Sequence, residues 1–99
     1  MATEKPLFPF GQIVATCGVI ALDLPLDTIL ALLRRHQSGD WGCLCKEDKE
    51  LNDLAVEHEG DPEKQGRVLS SYRTAKGSKI WIITEWDRSA TTILLPSEY

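Results

Sequence analysis

The sequence predicts an α+β domain: two helices packed on an antiparallel sheet of about four strands, in the order β-α-α-β-β-β. Three observations predict it. Residues 67–99 fall into three strand-like runs parted by two short turns, Lys76-Gly77 and Trp86-Asp87-Arg88-Ser89. Residues 24–57 hold two stretches with apolar residues at helical spacing. A short apolar run, Gly11–Thr16, supplies one more strand. Ninety-nine residues suffice for one domain with a modest core.

Residues 1–10 read as an N-terminal arm, with Phe8 and Phe10 able to dock on a domain spanning 11–99. Residues 17–24 are apolar without a clear period, and strand, turn and short helix all stay open there. Asp23-Leu-Pro-Leu-Asp27 reads as a helix start, with Asp23 or Asp27 accepting free amides and Pro25 in a first turn. That helix should run to about Arg35 and bury Leu26, Ile29, Leu30 and Leu33. Arg34, Arg35 and His36 suit its C-terminal dipole, and Ser38-Gly39 ends it. A second helix is expected over roughly 45–57, with Leu44, Leu51, Leu54 and Ala55 inward. Glu59–Gly66 is a polar loop. In the closing meander, Ile80–Ile83 is apolar on both faces, as a central strand would be, and Pro96 stops pairing.

Net charge is −4, unevenly spread. Residues 46–64 carry eight acids against three lysines; residues 65–99 carry five bases against three acids. A nucleic-acid binder would normally be basic, so the balance argues against that role while leaving a local basic patch open. No apolar run is long enough for a membrane span, and the start lacks the features of a signal peptide, so a cytoplasmic protein is expected. The three cysteines should be reduced there. Cys43-Leu-Cys45 offers two thiols for a soft metal. A zinc site needs about four ligands, and Cys17, His36 and His58 form no recognisable ligand pair with them. Neither a metal nor another cofactor is expected.

The best candidate constellation is Thr84-Glu85-Trp86-Asp87-Arg88 with Thr91-Thr92. A carboxylate beside a guanidinium in a turn can serve as a base next to a phosphate clamp. Arg73 and Lys79 sit on neighbouring strands. His36, oriented by Asp40, is a second possible acid or base. The bland alternatives are an Asp87–Arg88 turn clasp, threonines chosen for β propensity, and a helix-terminal histidine capping carbonyls. Trp81 reads as core and Trp41 as packing between the helices. Trp86, in a turn, reads as an exposed binding anchor. Trp86, Asp87, Arg88, Asp40 and Trp41 are the binding candidates.

GQIVAT, HQSGDWG and LSSYRTAKGSKIWIITEWDRSATTILLPSEY resemble a family of short uncharacterised bacterial plasmid and prophage proteins. Some of these carry the label plasmid-related protein or type I restriction endonuclease subunit M. The resemblance spans most of the chain and is most specific in the closing block. It implies a bacterial mobile genetic element and no particular activity. A methyltransferase subunit needs a glycine-rich cofactor-binding α/β domain, which this chain does not contain. Trp86 stands where the family pattern has a small residue, and Glu57–Gln65 is an enlarged loop.

The leading expectation is therefore a small mobile-element-encoded interaction protein. It would bind another protein, one belonging to a host defence or nucleic-acid-processing system, through the acidic 46–64 face. The alternative is a metal-independent ribonuclease or toxin of RelE-like or barnase-like architecture, acting on RNA. There Glu85 or His36 would be the acid or base, with Arg73 and Arg88 on the phosphate. Direct nucleic-acid binding by the basic sheet is a third reading.

Overall fold

A computed structural model describes residues 6–99; the first five residues of the expected arm lie outside the described residues. Strand β1 (Gln12–Ala15) leads into a short helix α1 (Cys17–Ala21), then α2 (Leu26–Gln37) and α3 (Lys46–Glu57). Strands β2 (Val68–Arg73), β3 (Lys79–Thr84) and β4 (Ala90–Leu94) follow, and a single 3₁₀ turn at Pro96–Glu98 closes the chain. The α+β class and the order of the long elements are as expected.

The sheet order is β1-β4-β3-β2. β2, β3 and β4 form an antiparallel meander, with Val68 opposite Thr84 and Thr84 opposite Thr91. β1 instead runs parallel to β4, pairing Gln12 with Ala90 and Ala15 with Ile93. The sheet is thus mixed rather than wholly antiparallel. The long helical connection lets β1 return to the meander's far edge in either direction, and no local turn chemistry dictates which.

All three helices lie on one face. Val19 of α1 and Leu32 and Leu33 of α2 pack with Tyr72, Ile80, Ile82 and Ile93. Ala55 of α3 packs with Phe8, Trp41 and Val68. The opposite face carries Trp81, Ile83 and Leu94, and the chain's end partly covers it: Tyr99 meets Trp81 edge-on, and Arg67 lies over the Tyr99 ring and donates to its hydroxyl.

Several local expectations change. Residues 17–21 are helical because Thr16 caps them, its hydroxyl accepting from the Val19 amide. α2 starts at Leu26 behind Pro25 without a side-chain cap; Asp23 takes a left-handed φ of 51° and caps nothing. Leu26 and Leu30 are exposed, and α2 turns Leu32, Leu33 and His36 inward. On α3, Leu51 and Leu54 are exposed, while Asn52 and Ala55 are buried. That helix lies against the outer edge of β2. There Asn52 is worth more inward than a leucine, because its amide donates to the Leu69 carbonyl (2.6 Å) and its oxygen accepts from the Leu69 amide (3.1 Å).

Candidate functional site

α2 brings His36 to the centre of the molecule, where it has no solvent exposure. Its Nδ1 lies 2.5 Å from Ser70 Oγ on β2, and its Nε2 3.0 Å from Thr84 Oγ1 on β3. Thr84 Oγ1 is 2.8 Å from Thr91 Oγ1 on β4, and Thr91 donates to the Phe10 carbonyl at 2.8 Å. That terminal carbonyl sets the direction of the whole chain. It can only accept, so Thr91 donates to it, Thr84 donates to Thr91, and His36 must donate to Thr84 through Nε2–H. Nδ1 is then unprotonated and accepts from Ser70. The relay assigns the Nε2 proton, and it is burial away from water that disfavours a second proton on Nδ1. Burial, with Arg88 nearby, lowers the His36 pKa to about 3. The imidazole is neutral and sealed.

Asp40 does not orient His36. It forms a two-point contact with Arg35, 2.7 and 3.3 Å long, that holds its carboxyl below its ordinary range. The carbonyl of Asp40 accepts from the Tyr72 hydroxyl at 2.6 Å. The role of His36 as an acid or base oriented by Asp40 is therefore corrected, and so is its role as a carbonyl cap. Both of its nitrogens are spent inside the core.

Arg88 is likewise buried, at 7% exposure. Its Nη2 lies 2.7 Å from Glu59 Oε1, its Nε contacts the same carboxylate, and its Nη1 donates to the carbonyls of Gly66 and Glu85. Its guanidinium sits over the Phe8 ring. The 59–66 loop thus folds back onto the turn that carries Arg88. Four of its five N–H donors are spent on Glu59 and the two carbonyls, and the group is buried, so it is not presented to a phosphate, which corrects the expected phosphate clamp. The expected Asp87–Arg88 clasp is also replaced: Asp87 accepts from the Ser89 amide at 3.1 Å, and its hydrogen bonds to Ser89 lower its pKa.

Phe8 is the wall between these two clusters. It meets His36 edge-on (5.2 Å) and stacks at 6.4 Å on Trp41. Trp41 is 4% exposed, and its Nε1 donates to Asp53 at 2.9 Å, so it is core and not a binding anchor. Trp86 is exposed, as expected of a turn tryptophan, with its carbonyl taking a hydrogen bond from Gln65.

The ribonuclease set does not assemble. Arg73 is exposed at the Lys79 end of the β2–β3 ladder; Glu85 and Arg88 follow the other end, and five residues of strand separate the two ends by about 17 Å. His36 lies inside between them. Cys17, Cys43 and Cys45 are exposed, and among the described residues no group of three or more potential metal ligands exists.

Among the described residues the surface offers an apolar cleft and a second, more polar one. One, of about 420 Å³, lies between α3 and the approach to β2, lined by Leu51, Leu54, Ala55, His58, Lys64, Gly66 and Arg67. The other, of about 210 Å³, lies on the open sheet face under Tyr99. Sequence reasoning missed the first, because it placed Leu51 and Leu54 inward. The available signal was Asn52, whose side chain suits a sheet edge better than an outer helix face. No family model, curated protein or solved structure matches this chain.

Proposed function

We propose that this chain is a small protein-binding module whose docking site is the cleft beside α3. One observation carries the reading: Leu51 and Leu54 are 64% and 51% exposed on an otherwise acidic helix, directly above an apolar cleft. The charges around it are polarised. Glu47, Glu50 and Glu57 flank the two leucines at helical spacing, and Lys64 and Arg67 form the opposite wall. The fitting occupant is a partner segment with an apolar side chain for the cleft, basic groups toward α3 and an acidic group toward Arg67.

A mobile-element origin and a cytoplasmic location belong to this proposal, supported by the resemblance of the closing block. On that basis the partner belongs to a host defence or nucleic-acid-processing system. Among the described residues no helix is long and apolar enough to cross a membrane.

The test is affinity capture with the wild-type chain and with Leu51→Asp/Leu54→Asp. A specific protein is expected, identified by mass spectrometry, bound by the purified wild type and lost in the variant. Recovery of nothing specific, or equal binding by the variant, overturns the reading.

A further inference from the structure

The two edges of the sheet are finished differently. On β2, the outward groups of Leu69 are paired with Asn52, the Ser71 carbonyl accepts from the Cys43 amide at 2.7 Å, and the Ser71 amide donates to the Trp41 carbonyl at 3.1 Å. Gly42 makes that approach possible: at φ 75°, a Cβ on it would lie 2.0 Å from the Ser71 oxygen. Among the described residues β1 has no such cover. Its parallel ladder uses alternate residues, with the Gln12 amide on Ser89 and the Thr16 amide on Ile93, both at 3.0 Å. The N–H and C=O groups of Ile13 and Ala15 therefore point away from the sheet, and among the described residues no hydrogen bond reaches them.

Free edges are usually guarded by charge, proline or a bulge. Residues 12–16 hold no charged residue and no proline, and the β1–β4 register runs without a bulge. Ile13 and Val14 are 48% and 42% exposed. We propose that β1 is the pairing edge for a second copy of this chain, antiparallel, forming one continuous eight-stranded sheet.

The register follows from the strand itself. Gly11, at φ 65°, leaves the extended conformation, and α1 begins at Cys17. The extended stretch 12–16 is centred on Val14, so a two-fold axis passes through that residue. Ile13 then pairs with Ala15 of the second copy, and Ala15 with its Ile13, which satisfies every outward group through four backbone hydrogen bonds. Large side chain meets small at both places. Val14 faces its own copy in the closer, non-hydrogen-bonded spacing. Any charged residue at the centre of such a strand would face itself; this strand has none. That self-complementarity favours a second copy over an unrelated strand. The edge lies across the sheet from α3, so the inference does not rest on the cleft described above.

So short an interface falls below the usual stable size, and a dissociation constant on the order of 100 µM is expected. Sedimentation equilibrium from about 10 µM to 1 mM, in reductant, should follow a rise from monomer to twice the monomer mass. Ile13→Pro removes only an outward N–H, and Val14→Lys sets two charges face to face. Each should leave a monomer with unchanged circular dichroism and thermal midpoint. In a Cys17→Ser/Cys43→Ser/Cys45→Ser background, Val14→Cys should cross-link between copies, because facing Cα atoms at about 4.5 Å suit a disulfide. Gln12→Cys, well off the axis, should not. A monomer throughout the range, a dimer that survives both edge variants, or equal cross-linking from the two cysteine variants overturns the proposal.

Discussion

Two polar clusters are buried on either side of Phe8, and they solve the same problem by opposite means. Around His36 every member is neutral, and each donor finds an acceptor down to the Phe10 carbonyl. Around Arg88 a full charge is buried and balanced by Glu59, whose side chain is still 26% exposed. A neutral relay costs little once complete. A buried charge depends on one partner, and loss of that partner leaves it uncompensated. Histidine and arginine, both catalytic residue types, thus serve here to hold β2, β3, β4 and the 59–66 loop in register.

The comparison can be broken first at its charged side. Glu59→Gln should lower the unfolding free energy by about 3–5 kcal/mol, discounted toward the low end because Glu59 is partly hydrated. Urea titration checks it. A loss under about 1 kcal/mol would mean that water, not Glu59, balances Arg88.

The neutral side should respond to pH. The His36 pKa falls from 6.5 to about 3 on folding, so its contribution is fully present above pH 6.5 and is lost as pH falls toward 3. Between pH 7.5 and 5 that is about 2 kcal/mol, a window above most carboxylate titration. Stability of wild type and His36→Phe should be followed across it; a wild-type slope no steeper than the variant's contradicts a sealed neutral imidazole.

Thr84→Val keeps the shape and strands the Nε2–H of His36, at about 1–3 kcal/mol. An unchanged denaturation midpoint would show that the ring finds another acceptor. The smallest effect belongs to the outer face. Leu51→Asp should change stability by less than about 0.5 kcal/mol, because the side chain already lies mostly in water. A large loss there would make Leu51 part of the core after all.

Much of the frame was legible. The Lys76-Gly77 turn and the apolar run Ile80–Ile83 placed the meander, and helical spacing placed α2 and α3 nearly to their ends. The buried faces of the helices were less legible. Leu26, Leu30, Leu51 and Leu54 satisfy an inward pattern, yet helix rotation is settled by what lies opposite, and here the opposing groups were Ser70 and Thr84 for His36 and the Leu69 backbone for Asn52. The candidate catalytic set failed for the same reason: Glu85 and Arg88 share a turn, but Arg73 lies a full strand away, His36 is inside the core, and Arg88 was claimed by a loop 29 residues earlier.

The sequence by itself determined the α+β class, the element order and the meander, because hydrophobic period and turn chemistry act over a few residues. It also determined that Trp86 would stand in the open. Tertiary structure decided the direction of β1, the burial and neutrality of His36, the pairing of Arg88 with Glu59 and the exposure of Leu51 and Leu54. Each depends on groups far apart in the chain, and a buried polar atom takes whichever complementary partner the packing delivers to it.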